Sequence, residues 1–159
     1  MPLLLERGHV VAGLTRSNGE LVRSLGAEPI VCDVYDLEKL TSLVGAFAPE
    51  VVVHLLTDLP DERERLAEFS AANARIRREG TRNLLAAAPD ARFIAQSVAF
   101  KLEGESAAGV AELERLVPEV IRLDWLCGPG TYDPDCTSGG ARIHVDDAAR
   151  LFADAVGPA

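Results

Sequence analysis

Hydrophobic and polar positions along the chain fall into short apolar runs that alternate with helical patterns. The clearest run, Pro49–Thr57, places β-branched residues and leucines around one polar ring, that of His54. Such a run predicts a strand buried on both faces in the middle of a parallel sheet. Functional groups of parallel sheets gather at the carboxyl ends of the strands, which here points to Leu56, Thr57 and Asp58.

The same alternation continues through the rest of the chain, as it does in βαβ units. Further strands are predicted at residues 9–15, 29–33, 92–97, 120–125 and 143–145. Helices are predicted at residues 1–7, 19–26, 37–47, 60–88 and 106–117, and from Asp146 or Asp147 to Val156. The pattern therefore predicts a single α/β domain over residues 1–159, with a parallel sheet flanked by helices.

Composition narrows the class of partner. The chain is 48% hydrophobic and carries a net charge of -9, which disfavours disorder and binding to a phosphate backbone. No apolar run approaches the roughly 18 residues that a membrane span needs. We therefore expect a small-molecule ligand, with neither nucleic acid nor a membrane as partner.

Cysteine usage bears on the cellular compartment. The three cysteines, Cys32, Cys127 and Cys136, are scattered and odd in number, which predicts reduced thiols in a cytoplasmic protein. Cys136, His144 and Asp146 have the side chains of metal ligands, but their spacing matches no metal-binding pattern, so no metal is expected.

An ordered set of short motifs resembles one known family. The motifs are Gly8–Val11 with Thr15–Ser17, Cys32–Val34, Val53–Leu55, Gly80–Ala88, Arg122–Gly130 and His144–Ala149. Together they resemble the NAD(P)-dependent epimerase/dehydratase family, the extended short-chain dehydrogenases/reductases. The resemblance implies a Rossmann-like fold, and it places Arg16 and Asp33 where the family binds the ribose and the adenine of the cofactor.

Departures from the family pattern indicate a truncated, degenerate member. The family's first strand and Gly-rich loop, which hold the cofactor pyrophosphate, have no counterpart after Met1. The catalytic Tyr-x-x-x-Lys is missing at its mid-chain place, and Arg77 stands where the family often has Asn. We therefore expect weak or no binding of NAD and NADP, so that no cofactor is favoured.

The missing strand is central in the family's sheet, so its loss predicts a gap between the strands at residues 9–15 and 50–57. Three arrangements are open: the two strands pair directly, another chain supplies a strand, or further residues precede Met1. An unfilled gap would bury unpaired backbone groups. We also expect a homodimer, with the helix of residues 60–88 as its interface element.

Candidate catalytic residues lie near the predicted strand ends. His54 is either a packed core histidine or a general base assisted by Asp58, and Asp58 is also a plausible N-cap. Ser97 is placed to hydrogen-bond a substrate carbonyl, and Tyr132 flanks the Gly-Pro-Gly loop that follows Trp125.

Three functions follow from this set. The favoured one is a cofactor-independent, redox-neutral enzyme that performs elimination, isomerisation or cyclisation on a small metabolite, because His54, Asp58, Ser97 and Tyr132 are groups suited to moving protons. The second is an NAD(P)-dependent epimerase or reductase represented by a partial chain. The third is a non-catalytic relative that binds a ligand or a partner.

Overall fold

Seven short strands and seven α-helices alternate in the computed structural model, which describes all 159 residues. The strands are β1 (Ala12–Thr15), β2 (Glu28–Val31), β3 (Val51–His54), β4 (Arg92–Val98), β5 (Glu119–Leu123), β6 (Trp125–Cys127) and β7 (Arg142–His144). The helices are α1 (Pro2–Glu6), α2 (Gly19–Ser24), α3 (Leu37–Phe47), α4 (Ser70–Arg75), α5 (Thr81–Ala87), α6 (Gly104–Leu116) and α7 (Val145–Val156). A 3-10 turn at Arg63–Arg65 and a π-helical turn at Ile76–Gly80 complete the order.

All strand pairs are parallel, which confirms the predicted α/β class. β1 pairs with β2, β3–β4–β5 form a second sheet, and β6 pairs with β7. No ladder joins β1 to β3, so the two strands do not pair directly. The prediction of a mid-sheet strand buried on both faces is therefore wrong: β3 is an edge strand, and Val51–Val53 are only half-buried.

Two apolar clusters hold the layers together. The larger cluster joins β2 and β4 to the helices on one face through residues such as Ile30, Leu40, Phe93 and Leu113. The smaller cluster packs α7 on the other face of the sheet and consists of Ile94, Leu123, Ala148 and Phe152. Helices thus cover both faces, as in a Rossmann-like fold.

Several local predictions are confirmed in detail. α3 begins and ends where the periodicity predicts, and the Asp36 carboxylate accepts a hydrogen bond from the Lys39 amide at 3.2 Å as its N-cap. α1 ends before Gly8, whose φ of 90° lies in the left-handed region that glycine adopts without strain.

The long helix predicted at residues 60–88 begins later and is interrupted. Residues 60–69 form irregular chain, the 3-10 turn and further turns, and α4 starts only at Ser70. One physical reason is tertiary: the Tyr132 hydroxyl donates to the Pro60 carbonyl and ties this segment to a distant loop. Asp58 is consequently not the N-cap of a helix, so the prediction that it caps the long helix is wrong.

Two other helices begin differently from the prediction, which for α6 was a start at Ser106 as the N-cap. Ser106 lies inside α6 rather than at its start, and its hydroxyl is hydrogen-bonded to that of Ser70 at 2.8 Å. At the start of α7 the cap is His144, whose Nδ1 accepts the Asp146 amide at 3.2 Å. The N-cap of α7 is therefore an imidazole nitrogen and not the predicted carboxylate of Asp146 or Asp147.

Cys127 and Cys136 form a disulfide with a Cα–Cα distance of 5.0 Å, so the prediction of three reduced thiols is wrong for this pair. Only Cys32 is a free thiol, and it is buried. The two cysteines are nine positions apart in the sequence, and the turn-rich loop between them folds back so that they meet. The hydrophobic pattern of the chain does not indicate this pairing. No helix of the protein is both long and apolar enough to cross a bilayer.

The disulfide loop contains a glycine that a side chain would disrupt. Gly128 has a φ of 106°, and a Cβ atom there would lie 2.6 Å from Nε2 of His144. Gly130, two residues on, has a φ of 78° but nothing within 4 Å of such an atom. A side chain at Gly128 would therefore cause steric overlap in addition to backbone strain, whereas a side chain at Gly130 would cause backbone strain alone.

We predict that Gly128→Ala lowers the free energy of unfolding by more than about 2 kcal/mol, whereas the matched Gly130→Ala costs about 1 kcal/mol of left-handed strain. Urea denaturation of both variants measures the difference. Equal losses would contradict the packing of Gly128 against His144.

Candidate active site at the carboxyl ends of the strands

His54 closes β3 and is almost completely buried, with an exposed fraction of 2%. Its Nδ1 accepts the Leu56 amide at 3.3 Å, so the proton of the neutral ring resides on Nε2. Nε2–H in turn donates to the Thr81 hydroxyl at 2.8 Å, and that hydroxyl donates to the Arg77 carbonyl at 2.5 Å. Both ring nitrogens are thus used within the protein.

Burial, together with the nearby Arg77 charge, lowers the pKa of His54 to about 4. The ring is therefore neutral at physiological pH, and its two nitrogens face internal partners. This is the geometry of a packed histidine; the general-base role stays a prediction.

Arg77 is the residue of this region that sequence reasoning did not include among its candidates. Its side chain is buried inside the π-helical turn, with an exposed fraction of 4%. The guanidinium donates to the carbonyl and the side-chain oxygen of Gln96 at 3.2 and 3.1 Å, while Nε has no partner. Burial lowers the pKa of Arg77, and the charge of Glu114 opposes this. The available signal was an arginine on a helix face of otherwise small and uncharged residues, Asn73, Ala74, Gly80 and Thr81.

Ser97 lies on β4 and is fully buried. Its hydroxyl donates to Glu114 on α6 at 2.5 Å, and Arg122 from β5 binds the same carboxylate at 2.6 and 2.9 Å. Hydrogen bonds from Arg122 hold the pKa of Glu114 below its usual value. Ser97 therefore has a carboxylate partner in place, and its predicted contact with a substrate carbonyl stays a prediction.

Asp58 and Asp33, which follow β3 and β2 in the chain, both lie near Tyr35. Burial raises the pKa of the Tyr35 hydroxyl and the Arg75 charge opposes it, while Asp58, Glu79 and Asp33 raise it further. The Arg75 guanidinium lies 3.9 Å from the centre of the Tyr35 ring. This acidic and aromatic group is separate from the His54 contacts.

The spacing Tyr-x-x-x-Lys does occur once in the chain, at Tyr35 and Lys39, a match that the sequence prediction missed. It lies after β2, not at the family's mid-chain place. A catalytic tyrosine requires a lowered pKa, and that of Tyr35 is raised. The pair therefore does not replace the family's catalytic pair.

Arg16 and Asp33 follow neighbouring parallel strands, since Thr15 of β1 is paired with Val31 of β2. Both side chains are exposed. The Asp33 carboxylate accepts the Tyr35 amide at 3.0 Å, as a turn carboxylate does, and Arg16 makes no side-chain hydrogen bond. Their cofactor contacts stay predictions, at one edge of the fold.

Tyr132 lies apart from the other candidates, in the loop enclosed by the Cys127–Cys136 disulfide. Its hydroxyl donates to the Pro60 carbonyl, and burial raises its pKa, with Asp61 and Glu62 adding to the effect.

The predicted catalytic residues thus occupy three places: His54 with Ser97 beside the Arg77 contacts, Asp58 beside Tyr35, and Tyr132 in the disulfide loop.

The fold places the protein among Rossmann-like α/β proteins, and comparison with known proteins supports this class. The Bordetella bronchiseptica enzyme WbmH, solved in complex with NAD+, superposes with a TM-score of 0.72 at 19% identity, over 97% of this chain and 66% of that one. UDP-glucose 4-epimerase from Thermotoga maritima, solved with UDP-glucose, gives 0.71 at 18% identity, over 97% and 67%.

Sequence similarity gives the family. A 3-diazoavenalumate denitrifying reductase from Streptomyces sp is 34% identical over 207 residues, which cover 94% of this chain and 68% of the reductase. The chain belongs to the NAD(P)-dependent epimerase/dehydratase family, the extended short-chain dehydrogenases/reductases, which confirms the resemblance. No family model matches the chain. The alignment is longer than the 159 residues of this chain, so the reductase has internal segments with no counterpart here.

The lowered pKa of His54 makes stability depend on pH with a defined sign. The unfolded chain takes up a proton below 6.5, whereas the folded state does so only near 4. The stabilisation from the neutral ring is present above 6.5 and is lost as the pH falls towards 4.

When the pH is lowered from above 6.5 to about 4, we predict that the free energy of unfolding of the wild type falls by about 3 kcal/mol more than that of His54→Gln. His9→Gln, outside this cluster, is the control and should keep the wild-type pH dependence in urea titrations. Identical pH profiles for wild type and His54→Gln would contradict a packed neutral ring. Turnover per folded molecule that drops about 10²- to 10⁴-fold in His54→Gln would show a general base.

Proposed function

We propose that the protein is a reductase of this family that acts on a diazo carboxylate and releases dinitrogen. The observation that carries the proposal is the 34% identity, over 94% of the chain, to a denitrifying reductase named for a diazo substrate. The likeness to WbmH and to the epimerase concerns the fold alone and does not bear on the substrate.

The chemistry of a diazo group agrees with the side chains present. When hydride adds to the carbon of a diazonium group, a C–H bond forms and the C–N bonding pair leaves with dinitrogen, so that step needs no proton donor. Carbonyl reduction differs, because the developing alkoxide must be protonated. The family's mid-chain Tyr-x-x-x-Lys, which would protonate that alkoxide, is missing here, and this supports hydride addition to a diazonium carbon over carbonyl reduction.

A nicotinamide dinucleotide, when bound, supplies hydride in this family. The residues present fit its adenosine end: Arg16 is exposed without a hydrogen-bond partner at the end of β1, and Asp33 follows the paired strand β2. Arg16 suits a 2′-phosphate.

The redox-neutral alternative requires an accessible base. His54 has both nitrogens engaged and a pKa near 4, while Ser97 is buried against Glu114. Of the two predicted catalytic residues near the end of β3, His54 is buried and Asp58 is partly exposed. No contact in the structure favours this alternative over reduction, and the same assay tests both.

The test incubates the protein with millimolar NADPH and 3-carboxybenzenediazonium, with a protein-free sample as control. We expect dinitrogen release and NADPH oxidation in equal amounts, both dependent on the protein. Substrate conversion at the same rate without NADPH would contradict the proposal and support the redox-neutral enzyme. No conversion beyond the protein-free sample would contradict both and support a non-catalytic relative.

A further inference from the structure

A mostly exposed strap, residues 58–69, crosses the carboxyl end of the β3–β4–β5 sheet. It begins shortly after β3, and the Arg63 guanidinium lies 5.2 Å from the ring centre of Trp125, which follows β5 on the far side of β4. Pro60 is the only buried residue of the strap. Because functional groups of parallel sheets gather at this end, the position of the strap determines how open the strand ends are to a ligand.

Few bonds hold the strap to the rest of the domain. The Asp58 amide donates to the side chain of Asn73 at 3.1 Å, and the Tyr132 hydroxyl donates to the Pro60 carbonyl. The hydrogen bonds and ion pairs of residues 61–69 stay within the strap or reach the first turn of α4. A segment with so few bonds to the core opens locally without global unfolding, so the contact of Tyr132 with Pro60 is its main anchor.

Tyr132 reaches the strap from the loop that the Cys127–Cys136 disulfide closes. Cys136 has a φ of 55°, in the left-handed region that residues other than glycine rarely adopt, so breaking the cross-link lets this end of the loop relax. Asp133 bonds to Arg142 at 3.2 Å and keeps the neighbouring chain folded when the cross-link is open. We propose that the disulfide is a redox-sensitive tether: when it is closed, Tyr132 holds the strap over the strand ends, and when it is reduced, the strap opens.

Reduction needs an external dithiol and a sulfur that it can reach. Cys136 is half-buried whereas Cys127 is only 3% exposed, so Sγ of Cys136 is the point of attack. One thiolate of the dithiol bonds to that sulfur and expels Cys127 as a thiolate, which takes up a proton. The second thiol then displaces Cys136 and closes the disulfide of the reductant. The dithiol is oxidised by two electrons and the cysteine pair is reduced by two, whatever reaction the strand ends perform.

Limited proteolysis of the full chain measures the opening of the strap. Subtilisin suits this test because it has no disulfide of its own, and the fragments are identified by mass spectrometry with and without dithiothreitol. We expect cleavage within residues 61–69 to be at least about fivefold faster after reduction, the size of effect that the loss of one hydrogen bond produces. Cleavage in the exposed turn at residues 16–18 is the internal control and should keep its rate.

Three variants separate the tether from general loosening of the domain. Tyr132→Phe keeps the disulfide but lacks the hydroxyl, so its strap should be cleaved fast when oxidised and gain little from reduction. Cys136→Ser cannot close the disulfide and should match the reduced wild type without any reductant. Cys32→Ala is the matched control: it removes the thiol outside the disulfide and should keep the wild-type response to dithiothreitol.

Several results would overturn the inference. These are equal cleavage of the strap in the oxidised and reduced wild type, an equal acceleration at residues 16–18, slow cleavage of oxidised Tyr132→Phe, or three free thiols in the air-oxidised protein. Because no turnover is measured, the outcome is independent of the proposed function.

Discussion

One hydrogen-bonded relay organises the strand ends on which the account depends. The Leu56 amide, the His54 ring, the Thr81 hydroxyl and the Arg77 carbonyl follow one another, joining the end of β3 to the π-helical turn. That turn carries the Arg77 guanidinium to Gln96 on β4. Each donor from the Leu56 amide to the Thr81 hydroxyl has an acceptor, so this chain of hydrogen bonds fixes the tautomer of His54 and the position of the helix together.

Much of the fold was predictable because local signals and tertiary packing agree. The span and the Asp36 cap of α3 follow from periodicity and capping chemistry, and the parallel α/β class follows from the alternation of runs. Prediction failed where a distant contact overrides the local pattern. The Tyr132–Pro60 hydrogen bond, the disulfide and the π-helical turn each join or displace residues in ways that no short window of sequence contains.

Prediction of the site was limited for a related reason. His54, Asp58, Ser97 and Tyr132 were grouped because they follow strands, yet being near a strand end does not decide which way a side chain faces. His54 and Ser97 turn inward to Thr81 and Glu114, whereas Tyr132 reaches the chain near Pro60. The functional roles of the four residues therefore stay predictions, and their partners determine what chemistry each is free to perform.

The central claim is that His54 is a neutral, packed link in this relay. Its ring nitrogens report this directly in a 15N NMR titration of the full chain. The account predicts a neutral ring with the proton on Nε2, unchanged as the pH falls through 6.5 and titrating only near 4. A titration centred near 6.5, or a proton on Nδ1, would contradict the relay and return His54 to the list of accessible bases.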